Sequence, residues 1–278
     1  MTYRQRSVIG GRGEGREQFK QSLRAVATDR QNRLYAAGDS QVKVFDAEGR
    51  LVQIIGTAQP PASVAVAPDG AVWVGERAQA EIFSAEGKLL KTWRPVGWLG
   101  EMTSIAFLGK EVLAGDVVGR LIRRYDASLN PLNEIGKDNR PRGFLIPNGH
   151  IKIAVDAKGV IHAAHPGKHR VERYTAEGAL LGRIGRFDGI DPAGFTGCCN
   201  PIGLALGPKG EVFVTEKAPP RAKILNAEGK LLAVLGTTVF DENCKHLDIA
   251  ADSRGRVYVS DSVKLQVVVF EPAIEEKR

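Results

Sequence analysis

One pattern recurs along nearly the whole chain and limits what it can fold into. A short β-favouring run closes on an aromatic residue or Leu. A tight turn follows, then a second short run that usually ends in Gly. The pattern appears as FDAEGRLVQIIG from Phe45, FSAEGKLLKTW from Phe83, YDASLNPLNEIG from Tyr125, YTAEGALLGRIG from Tyr174 and LNAEGKLLAVLG from Leu225. The stretch Ile202–Gly236 shows the complete unit, with β-favouring runs at Ile202–Leu206, Glu211–Thr215, Ala222–Leu225 and Leu231–Leu235. Such runs, separated by Gly- and Asn-bearing turns, are strand and hairpin signals. Each unit is therefore a meander of antiparallel strands. A meander this small cannot bury both faces alone, so it needs copies beside it.

The sixth copy, VVVFEPA with Phe270 at the closing position, has no final run. At the other end of the chain, Tyr3–Gly10 (YRQRSVIG) has the character of the missing strand. The expectation is that it pairs with Gln266–Phe270 and closes a ring, removing two exposed sheet edges. The fold class is then all-β, a six-bladed propeller of four-stranded antiparallel blades. One domain would span 1–278, with blades near 22–56, 62–93, 103–136, 151–185, 202–236 and 247–270.

The repeating grammar IAVDAKGVIHAAHPGKHRVERYTAEGALLGRIG at 153–185, and LDIAADSRGRVYVSDSVKLQVVVF at 247–270, resembles NHL repeats. The segment FTGCCNP at 195–201 is similar to one found in a bacterial, often exported subgroup of NHL-type proteins. The resemblance implies the propeller fold. It spreads function over RNA-binding, protein-binding, lyase and exported members. It also implies a periplasmic or secreted location, whereas the start MTYRQRSVIGG has no apolar core of a signal peptide and, as a native start, would imply the cytoplasm.

The formal charge of +7 favours acidic partners or anionic ligands. Lys and Arg are scattered, however, and aromatics make up only 6% of residues, which argues against a stacking nucleic-acid groove. No apolar run is long enough to span a membrane. A monomer is expected.

Strand counting places the loops between blades on one face with the loops joining second to third strands, and the short AEG-type turns on the other. The irregular sequence at 10–21, 94–102, 136–150, 185–201 and 236–246 all falls on the first face. Long loops on a rigid scaffold are where binding residues gather, so this face is expected to bind a protein or a small anionic ligand.

Several groups stand out there. Cys198 and Cys199 precede the inner strand of the fifth unit, and Cys244 that of the sixth. Neighbouring loops could bring these thiols together. They are open to a disulfide, a Zn or Cu site, or packed free thiols. His150, His165, His169 and His246 are assigned to the same face, with His165 and His246 the candidates to complete a metal or redox site. His165 occupies the second-strand end where other units carry an acid: Asp39, Glu76, Asp116, Glu216 and Asp261. Those acids are expected to anchor loop amides and nearby bases, and Glu216 with Lys217 is also a candidate ligand contact. The inner strands begin near Leu23, Ala62, Thr103, Ile151, Ile202 and Leu247, and their second residues are Arg24, Ser63, Ser104, Lys152, Gly203 and Asp248. Arg24 and Lys152 would face each other across the ring and attract an anion, or pair with Asp248. No G-x-S-x-G, HExxH or P-loop is present, so no catalytic residue can be assigned and an enzymatic role stays open.

Overall fold

Six four-stranded antiparallel sheets form the molecule. The computed structural model describes residues 2–139 and 142–273. The first strand, β1 (Tyr3–Gly10), belongs to the last blade. Blade 1 is β2 (Ala25–Thr28), β3 (Leu34–Gly38), β4 (Gln41–Phe45) and β5 (Leu51–Gly56). Blade 2 is β6 (Ser63–Val66), β7 (Val72–Gly75), β8 (Ala80–Phe83) and β9 (Leu89–Trp93). Blade 3 is β10 (Met102–Leu108), β11 (Glu111–Asp116), β12 (Leu121–Tyr125) and β13 (Pro131–Ile135). Blade 4 is β14 (Ile153–Val155), β15 (Ile161–His165), β16 (Arg170–Tyr174) and β17 (Leu180–Ile184). Blade 5 is β18 (Gly203–Leu206), β19 (Val212–Lys217), β20 (Pro220–Leu225) and β21 (Leu231–Leu235). Blade 6 is β22 (Ile249–Ala251), β23 (Val257–Asp261) and β24 (Gln266–Pro272), completed by β1. Tyr3 faces Pro272 and Gly10 faces Gln266, with a bulge between Gln5 and Ser7. The chain ends thus hold the ring closed through a ladder of backbone hydrogen bonds.

The core lies between blades rather than within them. Ile202, Phe213, Ile224 and Leu235 of the fifth unit pack on Ile249, Val257, Val259 and Val268 of the sixth. Equivalent layers join each remaining neighbouring pair. This is why the strands read as they do. The middle strand β7, VWVG, is buried throughout, whereas β5 alternates between half-buried and exposed residues until Ile55 turns inward. The innermost strands have no sheet partner on the axial side, so side chains tie them to the next blade. Ser63 Oγ donates to Met102 O at 2.6 Å and Thr28 Oγ1 to Ala251 O at 2.7 Å, and from the second strand of blade 5 Thr215 Oγ1 donates to Leu247 O at 2.7 Å.

A clasp repeats at the blade junctions, in positions the repeat pattern alone does not mark. The outer strand of blade 3 runs into Gly136 (φ +82°) and that of blade 4 into Gly185 (φ +89°). The rings of Phe144 and Phe195 fold onto these glycines so closely that an added Cβ would stand 2.3 Å from a ring carbon in each case. Phe240 covers Gly236, and Phe19 approaches Gly10, in the same manner. The clasps hold the interblade loops over the strand ends. No helix is long and apolar enough to cross a membrane among the described residues.

Candidate ligand-binding mouth and cysteine loop

The inner strands enclose an axial cavity of about 310 Å³. Its wall is mostly Val, Ala, Ile and Leu, and its charged lining residues are Lys152 and Asp248. These form a buried ion pair, Lys152 Nζ to Asp248 Oδ1 at 3.0 Å, linking blades 4 and 6 at the loop-bearing end of the cavity. Asp248 Oδ2 also accepts the Val26 N–H at 3.1 Å. Arg24 makes a two-pronged contact with Glu101 (2.9 and 2.8 Å), linking blade 1 to the loop before blade 3. The guanidinium holds the Glu101 carboxyl below its usual range. The two cations therefore each find a carboxylate, Lys152 the expected Asp248 and Arg24 the unexpected Glu101.

Two histidines lie against this cluster. Their ring centroids are 4.5 Å apart, and His246 Nε2 donates to Arg24 O at 2.7 Å. Burial drives His150 down to about 2, reinforced by the nearby His246, Lys152, Arg24 and Lys217. Burial likewise lowers His246. Both rings are thus neutral at neutral pH, and His150 Nδ1 is buried without a hydrogen-bond partner. The mouth thus holds two ion pairs and two neutral imidazoles, with Lys217 a further cation whose charge acts on His150.

The strand-end acids serve the loops, Asp116 the turn that follows its strand and the others the interblade loop that precedes theirs. Asp39 accepts the N–H groups of Gln21 and Ser22 at 2.9 and 2.7 Å. Glu76 accepts Gln59 N–H at 3.0 Å and Asp261 accepts Asp241 N–H at 2.8 Å. Asp116 takes Val118 and Gly119 N–H together with Arg123. Glu216 accepts Thr196 N–H at 3.3 Å and pairs with Arg221 at 2.5 Å and Lys223 at 2.9 Å, fully buried. His165 fills this role in blade 4: its Nε2 accepts Leu145 N–H at 2.8 Å and its Nδ1 lies 2.9 Å from Glu172 Oε2. An imidazole that accepts at Nε2 carries its proton on Nδ1, so His165 is neutral.

The structure does not bring the expected cysteine and histidine donors into one site. Cys198 is exposed and Cys199 buried, with their sulfurs 2.8 Å apart. Cys244 instead turns into the core between blades 5 and 6, where its thiol meets His246 O at 3.3 Å and Ser262 Oγ at 3.5 Å. His165 is committed to Leu145 and Glu172, and His246 to Arg24 O. Among the described residues no three His, Cys, Asp or Glu side chains are grouped as a metal ion would require. The reason is local packing: the loop before β22 buries its thiol as a small hydrophobe. The charge of Lys217 acts on both regions, lowering His150 at the mouth and opposing the rise of the Cys199 thiol.

Glu101 and His150 are the mouth residues that sequence reasoning does not select. Glu101 lies in an irregular loop with no repeat counterpart. His150 differs in no visible way from the other loop histidines.

No family model matches the chain, and no curated protein sequence matches it significantly. Solved structures match it in shape. A Bacteroides thetaiotaomicron protein of unknown function has a TM-score of 0.72 at 14% identity, covering 95% of this chain and 76% of that one. A streptogramin B lyase has a TM-score of 0.63 at 12% identity, covering 90% and 93%. The WD40 β-propeller domain of Doa1 has 0.63 at 13% identity, covering 91% and 79%. At these identities the likeness establishes the propeller fold.

Proposed function

We propose that the protein is an NHL-type propeller scaffold whose axial mouth captures a small anionic ligand bearing carboxylate or phosphate groups. The observation that carries this reading is the convergence of Arg24, Lys152 and Lys217 around two neutral histidines, one of which has an unpartnered buried nitrogen. Glu101 and Asp248 offset part of that charge, and Glu101 is the accessible member, with its side chain 39% exposed. An incoming anion would displace Glu101 from Arg24 and gain a bidentate partner.

Calorimetric titration with inorganic phosphate and with citrate tests this. Binding is expected to weaken with added salt, because the attraction is between charges at a partly exposed site. Arg24→Ala abolishes it, and Glu101→Gln tightens it by removing the internal competitor. Heat that is absent, or equal in all three proteins, overturns the proposal.

A protein partner is the second reading, favoured by apolar loop tips on the same face. Val96 and Ile190 are each 96% exposed, and Leu99, Val118 and Phe187 also project into solvent. Exposed apolar groups beside polar loops mark interaction surfaces.

A further inference from the structure

The loop that carries the two adjacent cysteines is fastened down on both sides. Thr196 N–H donates to Glu216 Oε1 at 3.3 Å, and Thr196 Oγ1 to Ala218 O at 2.9 Å. Asn200, wholly buried, bridges the loop to the corner of β19 and β20. Its Nδ2 donates to Thr196 O at 2.7 Å, and its Oδ1 accepts Lys217 N–H at 3.0 Å. The segment is thus held as a rigid bracket with one thiol outside and one inside. Cys198 is exposed, Cys199 is buried, and their sulfurs are 2.8 Å apart. The third cysteine is sequestered in the core with His246 O and Ser262 as its partners.

This division of labour suits thiol–disulfide exchange. An accessible thiolate attacks first, and a second thiol already in contact resolves the product. The surroundings agree with that order. Cys199, and then Lys217, hold the Cys198 thiol below its ordinary value despite some burial. Burial and the facing Cys198 raise Cys199.

We propose that Cys198 and Cys199 are a redox-active vicinal dithiol that exchanges with small-molecule disulfides, with Cys198 attacking and Cys199 resolving. The Cys198 thiolate attacks one sulfur of the disulfide RS–SR. The S–S bond breaks, a Cys198–SR mixed disulfide forms and RS⁻ leaves, taking up the proton that Cys198 released. Cys199 then loses its proton and attacks Cys198 Sγ. The Cys198–Cys199 bond forms and the second RS⁻ leaves with that proton. The two cysteines are oxidised by two electrons, and RS–SR is reduced to two RSH. The proposal does not depend on anion capture at the axial mouth.

Fully reduced protein incubated with oxidised glutathione provides the test, read by intact mass and by mapping the peptide 187–209 that carries both residues. The wild type is expected to become lighter by two hydrogens, all within that peptide. Cys199→Ser is expected to stop at a stable adduct of one glutathione on Cys198. Cys198→Ser is expected to react at least about tenfold more slowly, since its remaining loop thiol is buried. Cys244→Ala is expected to react as wild type. The proposal fails if the wild type keeps both hydrogens, if glutathione remains attached to it, or if Cys244 enters the bridge. The wild-type mass and peptide map decide the matter even where a variant folds poorly.

Discussion

Blades 4 and 5 solve one structural problem with the acid and the base exchanged between strands. In blade 5, the acid Glu216 ends the second strand and the base Lys223 lies on the third. In blade 4, the base His165 ends the second strand and the acid Glu172 lies at the position equivalent to Lys223. Both strand-end residues accept an N–H from the preceding interblade loop, Thr196 in one blade and Leu145 in the other. Both pairs are beneath a clasp ring, Phe195 over Lys223 at 5.0 Å and Phe144 against His165 at 5.0 Å. What the scaffold requires is therefore an acceptor at the strand end and a polar partner at one register position of the next strand, opposite Val214 in blade 5 and Ala163 in blade 4. It does not require an acid at either place. A neutral imidazole meets the first need and a protonated one does not, so blade 4 is sensitive to pH through its strand-end residue.

The strongest way to break this equivalence is to remove one partner. Glu216→Ala leaves the buried Lys223 ammonium with Gly194 O as its remaining hydrogen-bond acceptor, and is expected to cost about 3–5 kcal/mol, the usual result of stripping one half of a buried pair. The denaturant midpoint reports it. Exchanging both residues, Glu216→His with Lys223→Glu, copies blade 4 and should recover part of that loss. A double variant no more stable than Glu216→Ala would show that the two blades are not interchangeable.

A pH series sharpens the comparison. Burial, outweighing Glu172, keeps His165 below the ordinary imidazole value of 6.5. The unfolded chain therefore binds that proton first, so stability is complete above pH 6.5 and declines as pH falls below it, by up to about 1.4 kcal/mol per pH unit for each such group. The buried His150 and His246 act in the same direction. Although burial opposes it, contact with His165, Tyr174 and Arg170 holds Glu172 down to about 2, which adds a second loss as pH falls from 4.5 towards 2. His165→Gln retains an acceptor for Leu145 N–H and should flatten the slope of the unfolding midpoint between pH 7 and 5. An unchanged slope would place the titration in the axial histidines instead.

The smallest expected effect isolates a device found in blade 4 alone of the two. Tyr174 donates its hydroxyl to Glu172, whereas Leu225 stands in its place in blade 5. Tyr174→Phe should cost about 1.5–3 kcal/mol by thermal or denaturant unfolding, the range for a hydrogen bond to a charged group. A loss below the scatter of the measurement would mean that Asn139 and Arg170 already satisfy the carboxylate.

Much of this protein was legible from its residues. Turn chemistry and short β-favouring runs are local properties, so the number of blades follows from the copies. The closing role of Tyr3–Gly10 follows from a strand missing at one end and present at the other. The strand-end acids were legible as anchors for the same reason, since they recur at one repeat position. The His165–Glu172 exchange was only half visible, because a polar residue at the right place does not announce its partner's charge.

The rest was decided by closure. Arg24 and Glu101 are separated by 77 positions and meet because the ring brings blades 1 and 3 to one mouth. Repeat position pointed to the Lys152–Asp248 pair, but Glu101 has no repeat counterpart from which its contact could be read. Cys244 precedes its inner strand much as Cys198 and Cys199 precede theirs, yet its side chain entered the core while Cys198 stayed in solvent. Sequence spacing sets which loop a residue occupies. The direction its side chain takes is set by what neighbouring blades leave unfilled, and that is a property of the closed ring.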